Sequence, residues 1–196
     1  MKEHPLILKL DIAGNPRAWI TYERAAYYYA KDLVGWSMSE DGYHIYGGTS
    51  RMTGVQSSMR LNTIIAVRSE KGERLNEGFR SKVSLCNKTL FRRDQHVCAY
   101  CGNQFVSEDL SRDHVAPRAQ GGRDVWTNVV TACHSCNRVK DARTPEQANM
   151  PLLYVPYEPN KAEYLILMNR KILADQMEFL KSKVSKESRI LHPMKP

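Results

Sequence analysis

No stretch of this 196-residue chain approaches the roughly 20 consecutive apolar residues that a membrane-spanning helix needs. The opening Met1-Lys2-Glu3-His4-Pro5 has one lysine, an early acid and only a short apolar run, Leu6–Leu10. It lacks the pattern of a secretory signal, so the expected compartment is the cytoplasm. Internal repeats, low-complexity tracts and a basic tail are also missing. The formal charge is +8, with 12 basic against 9 acidic residues in 1–85, 9 against 7 in 86–150 and 8 against 5 in 151–196. An excess spread this evenly points to a polyanion met by a folded basic surface rather than by an arm. Cysteine is sparse, at five. In a reducing compartment that number argues against disulfides and for free thiols or metal ligands. Four cysteines fall into two pairs. The fifth, Cys86, reads as a small buried side chain.

With 42% apolar residues the chain can build a core. Residues 6–10 read as a strand, Gly14-Asn15-Pro16 as a turn, and Thr21 as the cap of a helix from Tyr22 to Val34 that Gly35 ends. Tyr43–Tyr46 reads as a strand stopped by Gly47-Gly48. Residues 49–60 read as a polar connection, and Ile64–Val67 as a buried strand. Residues 69–78 are charged and read as a turn. In Tyr27-Tyr28-Tyr29, one or two rings belong in the core and the rest on the surface. Residues 85–95 form a short helix with Leu85, Leu90 and Phe91 inward and Lys88, Arg92 and Arg93 outward. Four prolines make 143–160 irregular. Asn160, with Glu163 three residues on, caps a C-terminal helix whose apolar stripe runs from Leu165 to Val184. The tail around His192-Pro193-Met194 is expected to fray. The fold class is therefore α+β, in three parts: an N-terminal α+β region (1–85) that could contact substrate or partner, a central domain (86–150), and a Pro-rich connection with a C-terminal helix (151–196).

The central part carries the chemistry. Cys98-Ala99-Tyr100-Cys101 and Cys133-His134-Ser135-Cys136 are two C-x-x-C pairs. Four thiolates are the full tetrahedral set for a structural zinc, with no position left open for catalysis. The long insert between the pairs must be a folded unit. It encloses Asp113-His114 and Asn128, and Asn137 follows the last cysteine. These residue types suit a hard-metal hydrolytic centre. Neutral imidazole can serve as a base near pH 7, and carboxylate and carboxamide oxygens suit Mg²⁺ or Mn²⁺. Ser111–Val115 has strand character, Gly121-Gly122 bends the following loop, Trp126 anchors it, Val129–Thr131 returns as a strand, and 134–142 is helical.

The string Cys98-x-x-Cys101, Asp113-His114, Asn128, Cys133-x-x-Cys136-Asn137-x-x-Lys140 resembles the HNH endonucleases of bacteria and phages, over about residues 92–145. The resemblance implies a ββα-metal core with zinc-knuckle cysteines, His114 as general base, Asp113 and Asn137 holding one divalent cation, and Asn128 bracing the loop that aims His114. Asn137 stands where the family often has His, an H-N-N version. Lys140, Arg138, Arg118, Arg92 and Arg93 are candidate phosphate contacts.

The resulting expectation is a metal-dependent DNA endonuclease, or a nickase, since one such centre cuts one strand at a time. The alternatives are a non-catalytic zinc-stabilised module that binds nucleic acid, and an accessory subunit of a larger phage or restriction DNA-processing complex. Monomer and dimer both remain open, and no base-reading motif stands out.

Overall fold

The computed structural model describes residues 5–39, 42–68 and 83–192. The turn read at 69–78 and the end of the tail at 193–196 lie outside them. The strands are β1 (Ile7–Asp11), β2 (Pro16–Ile20), β3 (Val34–Met38), β4 (Tyr43–Thr49), β5 (Gln56–Leu61), β6 (Ile64–Val67), β7 (Leu110–His114) and β8 (Val129–Cys133). The helices are α1 (Tyr22–Ala30), α2 (Asn87–Arg93), α3 (His134–Lys140), α4 (Lys161–Met168) and α5 (Ala174–Lys183). The chain divides into two compact units, one of residues 1–81 with 169–183 and the other of residues 82–168 with 184–196.

The first unit is built on a four-stranded sheet in the order β2-β1-β6-β3. β1 runs parallel to β6 and antiparallel to β2, and β3 is antiparallel to β6. All four residues of β6 are buried, as its unbroken Ile-Ile-Ala-Val run requires of a central strand. Ala25 and Tyr28 of α1 pack on Ile7, Leu61, Ile65 and Val67, while Tyr27 remains on the surface. α1 is shorter than its composition suggests. Asp32 takes a left-handed φ of 53°, the Leu33 amide closes on the Tyr28 carbonyl, and Val34–Met38 joins the sheet as β3. The polar stretch before β6 contains a strand as well. β5 pairs with β4 in a separate hairpin, and β4 runs on through both glycines to Thr49. Cross-strand pairing, which no apolar pattern announces here, made the difference.

The apolar stripe read as one C-terminal helix is realised as two, α4 and α5, at the point where the chain passes from one unit to the other. Asn169 Oδ1 accepts from the Lys171 amide at 3.1 Å, a local bond that competes with the helix ladder. Asn160 caps α4 as expected, accepting from the Glu163 amide at 2.9 Å. The Glu163 side chain accepts from the Tyr157 hydroxyl. In α5 the buried Gln176 donates to the carbonyls of Leu6 and Thr63, tying the helix to the starts of β1 and β6.

The second unit centres on Val83, Leu90, Phe91, Leu110, Trp126, Val129 and Tyr164. Trp126 Nε1 donates to the Val83 carbonyl at 2.9 Å, so the loop anchor read from the sequence is satisfied. Two expectations for α2 fail. Cys86 is exposed at the helix start, with its sulfur 3.1 Å from Thr89 Oγ1. Arg93, expected on the surface, is fully buried. Its guanidinium pairs with Asp94 at 2.9 Å and 3.0 Å and donates to the carbonyls of Trp126, Tyr157 and Val129. Asp94, equally buried, also receives the Thr131 amide and hydroxyl at 2.9 Å each, and Arg189. A charge can be buried only when its donors and acceptors are all met, as they are here.

Arg93→Lys keeps the charge but loses the planar fork. It should lower stability by about 3 kcal/mol in urea unfolding. The salt dependence of nucleic-acid binding should stay as in wild type. A changed salt slope with unchanged stability would return Arg93 to the phosphate-binding set.

Candidate active site and metal centre

Two knuckles face each other across the second unit. In the first, the Gly102 amide closes on the Cys98 carbonyl at 3.0 Å, and Gly102 takes a φ of +75° that a side chain would strain. The Ala99 amide donates to the Thr131 carbonyl at 2.8 Å, fastening this knuckle to β8. The second knuckle begins at the end of β8. Cys133 caps α3, its sulfur accepting from the Cys136 amide at 3.4 Å. The sulfurs of Cys98, Cys101, Cys133 and Cys136 all lie within 4.8 Å of one another. Tetrahedral zinc with bonds near 2.3 Å needs sulfurs about 3.8 Å apart, so the set fits zinc with little adjustment. Burial opposes ionisation of Cys98, but amides of Cys101, Cys133 and Tyr100 outweigh it and lower its pKa. Burial, then the hydrogen bond with Cys133 and the neighbouring sulfur charges, push Cys136 well up. Ionised together, the four sulfurs would form a complete donor set for one metal ion. His134 stands apart, its Nε2 3.0 Å from the Glu108 carbonyl oxygen.

β7 and β8 pair antiparallel, with Asp113 opposite Val130 and His114 opposite Val129. Successive strand side chains alternate, so Asp113 turns inward while His114 stays partly exposed. Asp113 Oδ1 accepts from Lys140 Nζ at 3.0 Å, and Oδ2 accepts from the Tyr100 hydroxyl. Burial and then the Asp113 carboxylate drive the Tyr100 phenol far above its usual range, so it remains a donor. Lys140 also donates to the His114 carbonyl at 2.8 Å. Asn137 Nδ2 donates to Ser111 Oγ at 2.8 Å, so its oxygen is the free end for a cation. Each carboxylate oxygen of Asp113 keeps a second lone pair, so Asp113 and Asn137 offer oxygen donors of the kind a hard divalent ion takes. Despite the alternation, Asp113, His114, Asn137, Arg118 and Arg138 line one cleft of about 530 Å³.

Asn128 closes the loop between β7 and β8. Its Oδ1 accepts from the Ala116 amide at 2.9 Å, and Nδ2 donates to the carbonyls of Ala116 at 3.1 Å and Arg123 at 2.9 Å. Gly122 lies so close to this turn that a Cβ would sit 1.7 Å from the Ala116 oxygen. On the same side of the loop, His114 Nε2 is 3.1 Å from Asp124 Oδ1.

Residues 98–153 match the family model described as HNH endonuclease. The chain carries an HNH endonuclease domain. It is 37% identical over 73 residues to the CRISPR-associated endonuclease Cas9 of Corynebacterium diphtheriae, a match covering 36% of this chain and 7% of that protein. The crystal structure of the Type II-C Cas9 enzyme from Actinomyces naeslundii aligns over 48% of this chain and 11% of its own, with 19% identity and a TM-score of 0.30. The chain thus spans a small fraction of the length of either protein.

The candidate phosphate contacts divide. Arg118 and Arg138 are exposed along the cleft. Lys140 and Arg93 are buried, and Arg92 is half-buried with a bond to the Leu167 carbonyl. The motif reading missed two residues that touch the centre. Tyr100 was hidden as a spacer between cysteines, and its approach to Asp113 follows from how the first knuckle is docked. Asp124 had a weak signal, as an acid four residues before Asn128 in a loop otherwise rich in arginine.

Cys133→Ser should abolish stoichiometric zinc retention, read by atomic absorption, and the cooperative thermal transition of the unit spanning 82–168. Metal binding of this kind contributes on the order of 10 kcal/mol of folding free energy. Wild-type melting without metal would reduce the four thiols to packing.

Proposed function

We propose that the protein is a metal-dependent DNA endonuclease that hydrolyses phosphodiester bonds one strand at a time, with His114 as general base. The observation that carries this reading is the single cleft lined by Asp113, His114 and Asn137. His114 takes a proton from water, and the water oxygen bonds to phosphorus as the bond to the 3′ oxygen breaks. The leaving oxygen collects a proton from solvent. Asp113 and Asn137 would hold Mg²⁺ or Mn²⁺, which when bound neutralises charge on the phosphoryl group and assists the leaving oxygen. Lys140 fixes both the Asp113 carboxylate and the His114 backbone, so its role is to set the geometry of the pair. The exposed Arg118 and Arg138 offer phosphate contacts along the cleft. Zinc on the four cysteines is structural, since all its positions are filled. The net charge of +8 favours a polyanionic substrate. DNA, rather than RNA, rests on likeness to the HNH endonucleases. Docking on a larger DNA-processing assembly is compatible with this chemistry.

The direct test is cleavage of supercoiled plasmid with Mg²⁺ or Mn²⁺ by zinc-loaded wild type and His114→Ala. Wild type should yield nicked circles, and the variant should be slower by about 10²–10⁴-fold. Equal rates would remove His114 as the base. Salt-sensitive binding without cleavage by either would favour a binding module.

A further inference from the structure

His114 can work as a base only if one ring nitrogen presents a lone pair to water, and its surroundings select which one. Its Nε2 lies 3.1 Å from Asp124 Oδ1. The Asp124 carboxylate in turn receives Arg112 Nη1 at 2.8 Å on Oδ1 and 2.7 Å on Oδ2. Arg112 is steadied by its Nε, which donates to Asn87 Oδ1 at 3.0 Å. Arg112 and His114 are two apart on β7 and so share a side of the strand. The hydrogen bond and charge of Arg112 hold the Asp124 carboxyl below its usual range, so it is ionised at neutral pH. An ionised carboxylate only accepts hydrogen bonds. In the neutral imidazole the proton is therefore on Nε2, and Nδ1 carries the lone pair. Asn128 completes the arrangement without touching the ring. It binds the Arg123 and Ala116 carbonyls, holding the residue before Asp124 against the end of β7.

We propose that Asp124 is the positioning residue for His114, fixing the imidazole as its Nε2–H tautomer and leaving Nδ1 as the nitrogen that takes the proton from the attacking water. This rests on the nuclease reading above. The proton moves from water to Nδ1, the water oxygen bonds to phosphorus, and the bond to the 3′ oxygen breaks. Asp124 keeps its charge throughout and acts through the ring it orients. Asp124 is half exposed and its charged partner is Arg112, and a surface ion pair of this kind contributes little to stability, so removing the carboxylate should leave the domain folded.

The test compares wild type, Asp124→Ala and Asp124→Asn, all zinc-loaded, with two readouts. In proton–nitrogen NMR at pH 8, wild type should show a slowly exchanging His114 Nε2–H proton, and Asp124→Ala should lose it. In plasmid cleavage, Asp124→Ala should lower kcat by about 10²-fold with KM for DNA unchanged, as misplacement of a reacting group does. Asp124→Asn, whose carboxamide oxygen can still accept from Nε2–H, should recover part of both. An unchanged imidazole proton in Asp124→Ala, or wild-type or faster cleavage by it, overturns the assignment. Failure of wild type to cleave overturns the nuclease reading instead, and the NMR comparison still decides whether Asp124 holds the ring.

Discussion

Four sulfurs within 4.8 Å of one another form the constraint from which the rest of the centre follows. The set is placed to hold a metal ion, and an ion there would join two chain segments that lie 31 residues apart. One knuckle carries Tyr100 and is tied to β8 through Ala99. The other ends β8 and starts α3. A metal at this point would fix the angle between hairpin and helix. That angle brings Asn137 and Lys140 to the same end of β7 as Asp113. Zinc would thus contribute through geometry alone, and the first knuckle reaches the Asp113 carboxylate directly through the Tyr100 hydroxyl.

Beneath this surface lies a second constraint, the buried charge pair of Arg93 and Asp94. The two residues gather α2, β8, the Trp126 turn and the segment around Arg189 on one set of hydrogen bonds. Each partner is costly to bury alone, so the network favours the arrangement that satisfies both. Through the Val129 carbonyl and the Thr131 amide it holds β8, the strand that pairs with the one carrying His114. Trp126 adds its ring to the same place, with the Arg93 guanidinium 5.4 Å from its centroid.

The two flanks of β7 then divide the chemistry. On the inward side Asp113 is surrounded by donors. On the outward side His114 meets the acceptor Asp124, itself held by Arg112. The alternation of a strand, which would seem to separate the pair, instead gives each residue its own environment. The strand ends at His114, and both side chains open on one cleft.

Some of this was legible in the amino-acid order. Cysteine pairing, the Asp-His dipeptide and the spaced asparagines identify the HNH domain, because ligands of one ion must be close and knuckles impose fixed short spacings. The β-branched runs of β6 and β8, the anchoring Trp126 and the Asn160 cap were also readable, since burial and capping act over a few residues. What only the tertiary structure decided lies in long-range pairing. The polar β5 becomes a strand because β4 pairs with it. Arg93 and Lys140 read as surface cations until distant carbonyls and carboxylates satisfy them in the interior. Tyr100 and Asp124 meet Asp113 and His114 only once the knuckle and the loop are folded back. A local pattern records what a residue can do; which groups meet it depends on contacts between segments far apart in the chain.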